Sequence, residues 1–121
     1  MPHIILEYSQ DSFASSTAKT LVKSVFETVK LTGLFKTENI KVRLHPVEIY
    51  QLGLPNSGFM HVMCRIHPGK TTEQKRQLTQ SILTHLESVL KPEIKSQGEF
   101  VITVEVVEMD RTKYAKVVLK G

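Results

Sequence analysis

A strand-helix-strand pattern is written twice along this chain, and that repetition limits what it can fold into more than any single motif does. In the first copy, His3 to Tyr8 encloses the apolar run Ile4-Ile5-Leu6, nearly continuous, as suits a strand covered on both faces. Ser9-Gln10-Asp11-Ser12 offers helix-capping side chains. Ala14, Ala18, Leu21, Val22, Val25 and Val29 then recur at spacings of three and four, while Lys19, Lys23, Glu27 and Lys30 take the other face. Thr32-Gly33 closes this amphipathic helix, because glycine adopts the left-handed conformation that ends one. A second strand follows, with Ile40, Val42 and Leu44 on one face and Lys41, Arg43 and His45 on the other. Beyond Pro46 the apolar parity shifts to Val47 and Ile49, and a bulge or break is expected there.

Leu54-Pro55-Asn56-Ser57-Gly58 is a turn, and the pattern then starts again. Phe59 to Ile66 reads as a strand and His67-Pro68-Gly69-Lys70 as a polar loop. Thr71 and Gln74 have the spacing of a capping box, in which each side chain satisfies the other residue's orphan amide. Leu78, Ile82, Leu86 and Val89 form the helical stripe, widened by Leu83 and Leu90, and Pro92 lies just past its end. After Ser96-Gln97-Gly98, the β-branched run from Phe100 to Met109 predicts a long strand, followed by a short tail from Arg111 to Gly121.

Two β-α-β units favour parallel pairing within each unit and a right-handed crossover. The expected class is α+β: one domain over residues 1–121, with pseudo-repeat halves 1–57 and 58–121, a four-stranded mixed sheet and both helices on one of its faces. The strands read as apolar on both sides, so a second copy of the chain is expected to cover the other face.

Charge narrows the function classes. Sixteen basic and twelve acidic residues give a net charge of +4, spread without the basic cluster and interleaved aromatics of a nucleic-acid surface, which leaves a bias towards small anions. No run reaches membrane-spanning length, and the one cysteine, Cys64, cannot form an internal disulfide. A cytoplasmic protein with no nucleic-acid or membrane partner is expected. Cys64 lies in the apolar run Val62-Met63-Cys64 and reads as a buried hydrophobe. The five histidines lack metal-ligand spacing, and His3 reads as a packing or hydrogen-bonding group on the strand face opposite Pro2.

The initial Met-Pro, the two β-α-β units, and the segments PHIILEYS, LTGLFKTENIKVRLHPVEIYQLG and FMHVMCRIHPGKTTEQKRQ together resemble the tautomerase superfamily. Within it, the likeness is to the branch with both halves fused in one chain, the 5-carboxymethyl-2-hydroxymuconate delta-isomerases of aromatic catabolism. That resemblance implies a homotrimer with sheets inward and helices outward, and a mature N-terminal proline, here Pro2, as acid-base catalyst. It further implies cations that bind substrate carboxylates, carried over by position to Lys41, Arg43 and Lys70. Arginine is expected where Lys41 and Lys70 stand; lysine keeps the charge and loses the planar fork that grips a carboxylate through two bonds.

Proline at a free N-terminus is a secondary amine whose ordinary pKa, about 8, falls when burial or nearby cations disfavour the ammonium form. Such a base can take the hydroxyl proton of a dienol and return it at carbon, with a fixed cation stabilising the charge on oxygen and no metal or organic cofactor. Two other readings stay open at this point: a phenylpyruvate-type keto-enol tautomerase with one substrate carboxylate, and a non-catalytic trimeric protein on the same fold.

Overall fold

The expected elements form in the expected order in the computed structural model, which describes residues 1–95 and 97–121; Ser96, placed above in the approach to the last strand, lies outside the described residues. Strand β1 (His3–Ser9) leads through a 3-10 turn (Gln10–Ser12) into helix α1 (Ser15–Leu31), and a second 3-10 turn (Thr37–Asn39) precedes β2 (Lys41–Val47). The second unit is β3 (Gly58–Ile66), α2 (Thr72–Leu90) and β4 (Phe100–Glu108), after which a 3-10 turn (Arg111–Lys113) opens the tail. The sheet order is β2-β1-β3-β4. Pairing is parallel within each unit (β1 with β2, β3 with β4) and antiparallel where β1 meets β3.

This layout gives the two units a local two-fold relation about the β1–β3 seam. Ile4, Leu6 and Tyr8 face the helices from β1, as Met60, Val62 and Cys64 do from β3, so the residue matching Pro2 is Gly58. Between sheet and helices lies the core, where Leu21, Val25 and Val29 of α1 and Leu78, Ile82, Leu86 and Leu90 of α2 are buried against those strand residues. Apolar burial at roughly 25 cal/mol per Å² is what fixes the helices to this face. The helix boundaries follow their sequence signals at three of four ends. Gly33 takes φ +70 after α1, the Thr71–Gln74 capping box forms with both bonds present, and Pro92 follows α2.

The fourth end departs from expectation. α1 begins after Ala14 with no side-chain cap, because the serines assigned to that task turn inward. Ser9 and Ser12 share a 2.5 Å hydroxyl hydrogen bond, and the Ser9 hydroxyl accepts from the Phe59 amide at 2.9 Å, so they tie the turn to β3. The bulge expected at Pro46 is also absent: the register runs without a slip from His3–Lys41 through Tyr8–Pro46 to Ser9–Val47. The Lys41 amide donates to the Pro2 carbonyl at 3.1 Å, so alternate residues 43, 45 and 47 point their amides to β1, and position 46 points to the free edge. There a missing N–H costs the ladder nothing.

A third correction concerns the sheet face away from the helices. It is not apolar: His3, Glu7, Lys41, Arg43, His45, His61, Arg65 and Glu105 stand on it among Ile5, Phe59, Met63 and Val101. His61 hydrogen-bonds Thr103 at 2.6 Å and Glu105 at 2.5 Å across the β3–β4 pair. The continuous apolar look of β1 comes from Ile5 alone standing between Ile4 and Leu6.

Candidate active site

The amino terminus enters β1 from the end of the sheet where three connecting segments converge: the stretch after α1, the loop after β3 and the turn after β4. Together they enclose a cleft of about 510 Å³ around Met1, within the size range of small-molecule sites. Pro2 is buried directly behind Met1, its carbonyl held by the Lys41 amide. The terminal amine lies below its ordinary value of 8.0, first because it is partly buried and then because Lys41 and Lys116 place positive charge near it. Both causes penalise the ammonium form.

Of the cations named from the sequence, two belong to this end of the molecule. Lys70 lines the cleft with its ammonium 5.3 Å from the centre of the Phe35 ring, a cation-π placement on a wall of the same cleft. Lys41 does not line the cleft itself, but its charge acts on the terminal amine and its ammonium donates to the carbonyl of the lining residue Asn39 at 3.3 Å. Arg43 does not line the cleft. It lies on the open sheet face, and its Nη1 donates to His3 Nδ1 at 3.0 Å. A guanidinium can only donate, so His3 Nδ1 is the acceptor, and burial together with Arg43 and Lys41 lowers the His3 pKa below 6.5, keeping the ring neutral for that role. His3 is thus the hydrogen-bonding group its position suggested.

The cleft also contains residues that periodicity did not single out. Lys36 and Phe35 come from the segment after α1, His67 from the loop, and Arg111 from the turn beyond β4. Arg111 donates to the Pro68 carbonyl at 3.1 Å, and the His67 ring packs edge-on against Tyr114 with centroids 4.6 Å apart. Burial, followed by Arg111, the amino terminus and Lys116, lowers the His67 pKa, so this imidazole is neutral near pH 7. Among the described residues, no carboxylate lines the cleft, so an amine of depressed basicity sits among Lys36, Lys70 and Arg111 without a counter-ion there. That arrangement suits an anionic ligand from which an uncharged amine takes a proton and to which the resulting ammonium returns it.

Elsewhere, Cys64 is buried on the helix side of β3, and burial with the nearby Glu105 pushes its thiol up to about 12, which removes it as a nucleophile at neutral pH. Among the described residues, no helix is long and apolar enough to cross a membrane.

The chain also matches known proteins in sequence and in fold. Residues 2–118 match the family model described as 5-carboxymethyl-2-hydroxymuconate isomerase. The chain is 28% identical over 97 residues to the 5-carboxymethyl-2-hydroxymuconate Delta-isomerase of Escherichia coli, covering 75% of this chain and 77% of that one. In fold, it is similar to a 5-carboxymethyl-2-hydroxymuconate isomerase from Deinococcus radiodurans R1, with TM-score 0.84, 20% identity, and 96% and 88% of the two chains covered. It is also similar to a fused 4-OT wild-type symmetric trimer, with TM-score 0.73, 14% identity, and coverage of 94% and 90%.

Proposed function

The chain belongs to the 5-carboxymethyl-2-hydroxymuconate isomerase family and is an isomerase, and from that premise we propose that it moves a proton along a dienol carboxylate with the secondary amine of Pro2, freed by removal of Met1. The observation that carries this reading is the amino terminus opening into a cleft lined by Lys36, Lys70 and Arg111, with no acid among its walls.

With Met1 gone, the buried Pro2 ring becomes the end of the chain and its nitrogen the base. Burial and the charge of Lys41, which depress the amine at Met1, act in the same direction one residue further in. The nitrogen takes the proton of the enol hydroxyl, the electron pair passes along the diene, and the resulting ammonium returns the proton at the distal carbon, leaving the oxo form. Charge accumulates on oxygen in between, and a fixed cation beside it lowers the barrier in a site closed to water. Lys70 and Lys41 hold the carboxylate ends in this reading. Arg43 reaches a cleft only through the open sheet face, so its part belongs to an assembled homotrimer in which that face meets a neighbouring copy. The trimer named for one fold neighbour supports that assembly.

Replacing Pro2→Ala tests the reading. The variant retains a primary amine, and turnover of 2-hydroxymuconate-type dienols should fall by about 100-fold or more, the usual worth of a positioned acid-base group, with the oligomer intact by light scattering. Unchanged turnover would remove Pro2 from the chemistry.

A further inference from the structure

The two lysines at positions 41 and 70 leave the cleft without a planar carboxylate fork in the segments where one was expected. The structure holds such a fork elsewhere. Arg111 enters the cleft from the 3-10 turn after β4, a segment that the strand and helix pattern does not reach. The turn is shaped by Asp110, whose Oδ1 accepts from the Thr112 amide at 3.0 Å and the Thr112 hydroxyl at 2.6 Å. Asp110, its nearest acid in sequence, is thereby occupied, and its other oxygen faces Lys113 at 3.6 Å. One Arg111 nitrogen is fixed on the Pro68 carbonyl, which orients the guanidinium while leaving most of its five N–H donors uncommitted. Among the described residues, neither Arg111 nor Lys70 makes an ion pair with an acid.

We propose that Arg111 is a carboxylate-binding, specificity-determining residue of this cleft, supplying the two-pronged grip that Lys41 and Lys70 lack and selecting substrates with a second carboxylate over those with one. The inference deepens the proton-transfer reading and rests on that reading's choice of site. A pre-anchored fork loses little freedom on binding, and two parallel charge-assisted bonds discriminate a carboxylate from a methyl group more sharply than an ammonium does. Lys70 and Arg111 come from different segments, so a ligand charged at both ends can meet both.

The test is equilibrium binding by calorimetry on the full-length protein, with trans,trans-muconate and sorbate as probes. They share a diene and differ by one carboxylate, and neither has an enol to turn over. Wild type should prefer muconate. Arg111→Gln, which can still donate to Pro68, should weaken muconate by about tenfold or more, the worth of a charge-assisted pair, and sorbate by less than about threefold. Arg111→Lys should recover only part of the preference, which separates the fork from the charge. Equal losses for both probes, no loss for either, full recovery in the lysine variant, or a wild type without preference would each overturn the proposal. Absent dienol turnover with the Arg111-dependent preference intact would overturn the proton-transfer reading alone, and normal turnover with the preference unchanged in Arg111→Gln would overturn the Arg111 assignment alone.

Discussion

The local two-fold gives the molecule two clefts at corresponding places, and they are chemically unlike. The first surrounds Met1 and holds Lys36, Lys70 and Arg111 with no acid in about 510 Å³. The second, of about 200 Å³, lies at the start of β3, where Asp11 and Lys95 offset each other among Ser12, Tyr50, Asn56 and Ser57. At the position matching Pro2 stands Gly58, in the middle of the chain, with its amide nitrogen donating to the Glu99 carbonyl. An internal amide has no useful basicity. One backbone plan therefore presents an amine and an uncompensated positive field at one end, and a smaller, charge-balanced pocket at the other. The architecture supplies two pockets, and the chain terminus together with the distribution of charge makes the first of them the one suited to the proton transfer proposed above.

The largest effect expected from disturbing this contrast is structural. A Cβ at Gly58 would lie 2.6 Å from Ser12 Oγ and 2.9 Å from both Ser9 Oγ and the Phe100 ring. Those serines are short and bonded to each other, so they cannot swing away. Gly58→Ala should cost about 1–3 kcal/mol in urea unfolding, a typical overpacking penalty, because the space beside Gly58 is already filled by Ser9, Ser12 and Phe100. A neutral result would mean that this end is as open as the first.

A smaller effect separates the two fields. Lys70→Ala should raise KM for a dienol dicarboxylate by about tenfold, whereas Lys95→Ala, at the opposite cleft, should leave steady-state kinetics within about twofold. Similar changes in both would erase the functional distinction between the clefts. Smaller again is a shift in titration. Lys41 helps to hold the terminal amine down, so Lys41→Gln should move the apparent amine pKa upward, towards 8.0, in the pH dependence of kcat/KM.

The smallest concerns the helix layer common to both ends, where His85 Nε2 bonds the Ser24 hydroxyl at 2.7 Å and burial lowers the histidine pKa from 6.5. The unfolded chain then binds a proton that the folded chain refuses as pH falls through about 6.5, so stability is full above that value and declines below it. His3 and His67, also lowered, act with the same sign. His85→Gln should flatten part of the decline between pH 7.5 and 5.5, and an unchanged slope would assign it to the other two.

Regular elements were legible because side-chain alternation and the three-and-four spacing report burial directly, as in Leu78, Ile82 and Leu86, although at the end of that stripe Leu90 is buried and Val89 only half-buried. The cleft was legible only in part. Pro2 and Lys70 stood out through the family resemblance, Pro2 also by its place at a terminus. Arg111 and Lys36 lie on short turns whose direction is set by tertiary contacts, here the Pro68 carbonyl for Arg111, and no periodicity announces those. Arg43 was legible as a strand residue, yet its attachment to His3 depends on the β1–β2 register. The serines at 9 and 12 misled for a related reason: the same hydroxyls that can cap a helix can bond across to β3, and the close approach at Gly58 draws them there.

The central claim is that the amine at the end of β1 is the reacting base. It is tested most directly by the turnover of a dienol carboxylate by protein whose intact mass shows that it begins at Pro2, beside the same chain retaining Met1. The account predicts that the processed protein turns over with an acid-limb pKa below 8.0 in kcat/KM, and that the Met1-bearing protein, whose Pro2 nitrogen is an amide, is slower by about 100-fold or more. Equal rates for the two forms would contradict it.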